Sequence, residues 1–87
     1  MKISVTAQDI RRGKRAEPCR CPVALALKRT FKRKVSVTFT SLEFESYRKG
    51  KESLVRDTPS IVAKFVEAFD DHKPVKPFSF SFAARGL

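Results

Sequence analysis

Apolar and polar residues alternate in several short segments of this chain, and a period of two predicts β-strands. A first strand is predicted over residues 3–6, a second over residues 35–40, and a last one over residues 78–82, where phenylalanines alternate with serines. The alternation restarts at Leu42 in the opposite phase, which indicates a tight turn or a bulge near Thr40-Ser41.

A helical spacing of apolar residues follows Pro22, which suits the first turn of a helix because its missing N–H costs nothing there. Val23, Ala24, Leu27 and Phe31 recur at intervals of three and four, which predicts an amphipathic helix over roughly residues 22–33. The opposite face of this helix holds four cations: Lys28, Arg29, Lys32 and Arg33.

Two further helices are predicted from their start signals. Thr6 could cap a single helical turn that ends at Gly13. Thr58 is the expected N-cap of a longer helix, with Pro59 in its first position and an apolar stripe that ends near Asp71.

The elements add up to an α+β fold for a single domain over residues 1–87. Residues 48–51 predict a turn, and residues 53–56 could return as a short strand. The order is β-α-β-β-(β)-α-β, a small, mostly antiparallel sheet with two main helices on one face.

Charge is distributed very unevenly along the chain. Ten of the 19 basic residues lie between positions 11 and 34, where Glu17 is the one acidic residue, whereas residues 52–87 carry no net charge. Such a local positive field selects anionic partners, although a solvated basic face that only keeps the protein soluble is the alternative. The candidate nucleic-acid- or anion-binding residues are Arg11, Arg12, Lys14, Arg15, Arg20, Lys28, Arg29, Lys32, Arg33 and Lys34.

A second, smaller candidate site surrounds the single tyrosine. Tyr47 could offer a stacking platform for a base, with Arg48, Lys49 and Lys51 beside it. The alternative is an aromatic residue at the end of a strand. The phenylalanines lie at core spacings, which favours a hydrophobic core for nearly all of them.

Metal binding and catalysis find little support in the residue inventory. Cys19, Cys21 and His72 are one ligand short of a tetrahedral zinc site, so no metal and no cofactor is expected. The Cys21 thiol near a helix start and Arg20 could have a lowered pKa and be reactive. No nucleophile is paired with a base, no catalytic residue is assigned, and the chain is not expected to be an enzyme.

Three segments together resemble a group of small phage-encoded proteins of unsettled function: CPVALAL over residues 21–27, FVEAFD over residues 65–70 and VKPFSF over residues 75–80. The resemblance covers most of the chain in order and implies a phage or prophage setting. It therefore also implies the cytoplasm of a host cell, in agreement with the lack of a signal peptide or of an apolar run long enough to cross a bilayer.

The leading functional hypothesis is a non-catalytic phage accessory protein that binds nucleic acid or an anionic nucleotide through residues 11–34. The alternative is a protein–protein inhibitor that docks on an acidic surface of a host protein, as a counter-defence factor would. No membrane partner is expected. If residues 78–82 lie at a sheet edge, they could pair with a second copy and form a homo-oligomer.

Overall fold

The computed structural model describes residues 1–45 and 53–83, and it confirms the α+β class. Within these residues, five strands and three helices follow one another in nearly the predicted order. They are β1 (Lys2–Val5), α1 (Ala7–Arg12), α2 (Pro22–Phe31), β2 (Val35–Val37), β3 (Ser41–Phe44), β4 (Leu54–Asp57), α3 (Ser60–Asp70) and β5 (Phe78–Ser81).

The strands form two antiparallel sheets, where the alternation had predicted one. The N-terminal β1 pairs with the last strand β5, with Ile3 opposite Phe80. The other sheet has the order β2-β3-β4. Of the two alternatives predicted near Thr40-Ser41, a tight turn or a bulge, the structure has the turn, which joins the first two strands. Each sheet turns one apolar face inward, and alternating residues of β1, β2 and β3 are buried. In β5 Phe80 is buried and Phe78 half-buried, and the residues of β4 are half-buried or exposed.

Helix α2 packs against β1, β2 and α1 and lies at the centre of the molecule. The Sγ atom of Cys21 caps its first turn by accepting a hydrogen bond from the Ala24 N–H at 3.4 Å. The helix ends at Phe31, because Lys32 takes the left-handed conformation (φ 54°) that closes many helices. Lys32 and Arg33 thus lie beyond the helix that was predicted to include them.

The hydrophobic core is built largely from phenylalanines. Phe31, Phe44 and Phe82 form one cluster with ring centroids 5.5–6.0 Å apart, in edge-to-face and tilted arrangements. A second cluster joins α3 to β5 through Phe65 and Phe78, whose centroids lie 4.7 Å apart. Four residues of the predicted apolar stripe of α3 are buried, whereas Ile61, which its spacing also places on that stripe, is 50% exposed. The buried residues are Val62, Phe65, Val66 and Phe69.

Two local predictions are wrong, and the same pair of segments explains both. Thr58 does not cap α3, which begins one residue later than predicted, after Pro59. The Thr58 hydroxyl instead donates to the Thr38 carbonyl at 2.8 Å, a contact 20 residues away in sequence. Thr38 begins the bend that ends β2 at Val37, so Phe39 leaves the predicted buried face and is 53% exposed.

Candidate anion-binding groove

The short helix α1 positions the first cations of the basic segment. Thr6 caps it as predicted: its hydroxyl accepts the Asp9 N–H, and the Asp9 carboxylate accepts the Thr6 N–H at 2.9 Å. The helix ends at Gly13, which packs closely against Pro22 at the start of α2. Arg11 and Arg12 are therefore held in an exposed last turn.

The loop between α1 and α2 folds back on itself and brings two more cations together. The Lys14 N–H donates to the Arg20 carbonyl at 2.8 Å, and the Arg20 N–H donates to the Glu17 carbonyl at 2.9 Å. Ala16 takes a left-handed backbone conformation (φ 58°) at the tip. Lys14 and Arg20 are both exposed, and the hydrogen bond between them makes them neighbours along the backbone of the loop.

Arg15 fastens this loop to the far end of α3. Its Nε donates to the Phe69 carbonyl at 3.0 Å, and its guanidinium lies 5.0 Å from the centroid of the Phe69 ring. A cation over an aromatic face is attracted by the ring quadrupole. The contact joins residues 54 positions apart and brings the basic loop beside the residues that follow α3.

The end of α3 contributes two side chains that the sequence reading did not assign to the site. His72 is left-handed (φ 61°), and the Lys73 N–H donates to the Ala68 carbonyl at 2.9 Å, which closes the helix. This closure directs residues 72–75 along the loop that holds Arg15.

These elements enclose a groove of about 460 Å³. Its polar lining consists of Arg11, Arg15, His72 and Lys73, and its apolar lining includes Ile10 and Val75. No carboxylate is among the described residues that line it. A concave site with several cationic donors and no acidic side chain attracts phosphate, sulfate or carboxylate groups.

The structure draws Arg29 away from the predicted anion-binding surface. Its guanidinium donates to both Asp9 carboxylate oxygens at 2.7 and 3.0 Å and to the Ser4 carbonyl at 3.2 Å. Because Arg29 hydrogen bonds to Asp9, its pKa is raised, and the pair joins α1 to α2. Arg29 therefore acts first as a structural cation.

The other predicted cations fall into two groups. The Lys28 ammonium donates to the Cys19 carbonyl, so it lies beside the loop that precedes α2. Lys32 and Lys34 are exposed at the opposite end of this ten-residue helix, about 15 Å away at the usual helical rise. Arg33 is half-buried. The predicted residues Tyr47, Arg48, Lys49 and Lys51 lie outside the described residues.

The two cysteines have unequal environments. Cys19 is exposed, whereas Cys21 is buried, and burial raises the pKa of its thiol. The hypothesis of an activated Cys21 is therefore wrong, because the apolar surroundings of the thiol outweigh its position at a helix start. Within the described part of the chain, no cluster of histidine, cysteine, aspartate or glutamate could hold a metal ion.

Comparisons with protein-family models, with curated proteins and with solved structures find no match to this chain. The resemblance to small phage-encoded proteins consequently stays a prediction. Among the residues that the structure describes, no helix has the length and apolar character needed to cross a membrane.

Proposed function

We propose that this chain is a non-catalytic nucleic-acid-binding protein that holds the phosphate backbone in the groove between α1 and the end of α3. The observation that carries the proposal is the lining of that groove: Arg11, Arg15, His72 and Lys73, with no carboxylate among its described lining residues. Phosphate oxygens accept hydrogen bonds from such groups, and this backbone contact supplies most of the affinity for nucleic acid.

A polymer suits the site better than a single nucleotide, because the positive charge continues beyond the groove. Arg12 and Lys14 are exposed next to residues that line it, and Arg20 is bonded to Lys14 through the backbone. Successive phosphates of a polymer could therefore contact successive cations along this surface. Phe69 is buried beneath Arg15, so its ring offers no free face on which a base could stack.

The proposal implies contact with the backbone and little reading of base sequence. Its phage setting rests on the resemblance given by residues 21–27, 65–70 and 75–80. In that setting the partner would be nucleic acid in the cytoplasm of the host, and the protein would act as an accessory factor without a cofactor.

The proposal is tested by fluorescence anisotropy with a labelled 20-mer, as duplex and as single strand, over a series of NaCl concentrations. The double variant Arg11→Gln/Lys73→Gln should bind about 10-fold more weakly and lower the slope of log K against log salt by about 2, one unit for each lost phosphate contact. Arg15 is left unchanged in this variant because it fastens the loop to α3.

The matched control is Lys32→Gln/Lys34→Gln, which removes the same net charge at the opposite end of α2. It should leave the affinity and the salt slope close to those of the parent chain. Equal losses in the two double variants would mean that only net charge matters, which would overturn the groove. Binding to an acidic host protein that survives nuclease treatment, with no oligonucleotide binding, would favour the inhibitor hypothesis instead.

A further inference from the structure

Phe39 is a large aromatic side chain that the fold leaves largely exposed to solvent. It is 53% exposed at the bend between β2 and β3. The bend is held from both sides: the Thr38 N–H donates to the Ser41 carbonyl at 2.9 Å, and the Ser41 N–H donates to the Thr38 hydroxyl at 3.1 Å. Thr58 ties it to the segment before α3 by a second pair of hydrogen bonds, at 2.8 and 3.2 Å. A half-exposed aromatic ring on a rigid turn is a pre-organised anchor for binding.

Two concave surfaces share Phe39 as a wall. The first has a volume of about 270 Å³, and buried residues that include Cys21, Val37 and Val66 form its apolar floor. This volume falls just below the range of about 300–1,000 Å³ that is typical of sites for small-molecule ligands. It therefore suits a single apolar side chain. The second surface extends from Phe39 along α3.

The charge around Phe39 is opposite to that of the rest of the molecule. Among the described residues that line the two surfaces, four are carboxylates and one, Lys64, is a cation, although the chain as a whole carries a formal charge of +10. The acidic residues are Glu17, Glu67, Asp70 and Asp71. This face repels nucleic acid, and it would also repel its own image in a symmetric dimer.

We infer that the surface around Phe39 binds a basic peptide segment of a partner protein, one that presents an apolar side chain flanked by lysine or arginine. The apolar side chain would enter the floor beside Phe39, and the flanking cations would meet the carboxylates. This site would be separate from the basic groove: at the ridge between them, Arg15 bonds to Phe69, while the next residue, Ala16, donates its N–H to Asp70 at 3.1 Å.

The probe is a seven-residue peptide with one leucine between two pairs of basic residues (GKRLKRG), titrated into ¹⁵N-labelled protein. The amide shifts of residues 16–17, 38–40 and 67–71 should change as the peptide is added, and their concentration dependence gives the dissociation constant. Peptides with serine in place of leucine, or with glutamates in place of the basic residues, should bind about 10-fold more weakly or not at all. The first lacks the apolar side chain that would enter the floor beside Phe39, and the second lacks the cations that would pair with the carboxylates.

The variant Phe39→Ser should weaken GKRLKRG binding by about 10-fold, the effect of losing an interfacial anchor worth ~1.4 kcal/mol. The control is Val55→Ser, which removes an equally exposed apolar side chain (55%) that lines neither surface. Glu17→Gln/Glu67→Gln tests the charge while leaving Phe39 in place.

Amide shifts confined to other regions, or equal binding by Phe39→Ser and the parent chain, would overturn the inference. Oligonucleotide binding by Phe39→Ser should match that of the parent chain. Oligonucleotide binding thus tests the proposal for the basic groove, and peptide binding independently tests the inference about the Phe39 surface.

Discussion

A buried carboxylate such as Asp9 is stable only when hydrogen bonds and an opposite charge replace the water that it loses. Burial would raise the pKa of this group, but the hydrogen bonds from Arg29 and Thr6, together with the positive charge of Arg29, outweigh burial and hold the pKa below its ordinary value of 3.8. Asp9 is thus ionised at neutral pH although only 4% of it is exposed. It closes the capping box of α1 and fastens α1 to α2 at once.

We predict that Asp9→Asn lowers the free energy of unfolding at pH 7 by about 1–2 kcal/mol, since it removes a charge-assisted contact whose partner Arg29 is half exposed. Because the folded-state pKa of Asp9 is depressed, its contribution is complete above about pH 4 and is lost as the pH falls through the folded-state value. Urea unfolding at pH 7 and at pH 2–3 measures the difference, which should shrink in acid. Glu43→Gln, a change at an exposed carboxylate, should show neither effect.

At the scale of the elements, the connection from α1 to α2 depends on close packing at Gly13. A Cβ at this position would lie 2.5 Å from Cδ and 2.6 Å from Cγ of Pro22, and 2.8 Å from its backbone nitrogen. The backbone of Gly13 is extended (φ −67°), so the glycine is needed for space and not for its conformational freedom. Ala16 in the same loop differs in that its backbone is left-handed (φ 58°), a conformation that favours glycine.

We predict opposite effects of two exchanges between glycine and alanine in this loop. Gly13→Ala should destabilise the fold by about 1–3 kcal/mol, because the added methyl group forces α1 and α2 apart. Ala16→Gly should be neutral or stabilise it by up to about 1 kcal/mol, because glycine adopts the left-handed conformation without steric cost. Urea midpoints of the two variants decide this. An unchanged midpoint for Gly13→Ala would contradict the close-packing argument, and a loss for Ala16→Gly would contradict the conformational argument.

Local patterns predicted most of the elements, because period, proline position and capping residues act over a few neighbours. Thr6, Pro22 and the alternation of residues 78–82 each led to the right element. The errors occur where a distant contact prevails over the local signal. Thr58 hydrogen bonds to Thr38 across 20 residues and lies before the N-cap position of α3, which Pro59 occupies.

Only part of the lining of the candidate groove could be predicted, because local patterns do not encode distant contacts. Arg11 and Arg15 stand out in the basic segment, whereas His72 and Lys73 come from a segment with no net positive charge and reach the groove through the contact of Arg15 with Phe69. No local pattern encodes a contact over 54 residues. The pairing of Arg29 with Asp9, 20 residues apart, was hidden in the same way.

At the scale of the whole molecule, the excess of positive charge opposes the folded state. A formal charge of +10 on 87 residues means that folding brings like charges together, and the basic loop places Lys14 beside Arg20. Salt screens exposed charges over about 8 Å at physiological ionic strength. Screening by NaCl should therefore stabilise the fold, even though it weakens the pair between Asp9 and Arg29.

Because a ligand that binds only the folded state stabilises it, an oligonucleotide should raise the melting temperature much more than NaCl of the same ionic strength. At a free concentration 100 times the dissociation constant, the gain is about 2.7 kcal/mol, or roughly 10–20 °C for a domain of this size. Arg11→Gln/Lys73→Gln should lose about 5–10 °C of that shift, corresponding to a 10-fold weaker affinity, and should keep the response to NaCl. Lys32→Gln/Lys34→Gln should keep both responses. If the oligonucleotide raised the melting temperature no more than NaCl does, the positive charge would act only as a diffuse field, and the groove would not be a specific binding site.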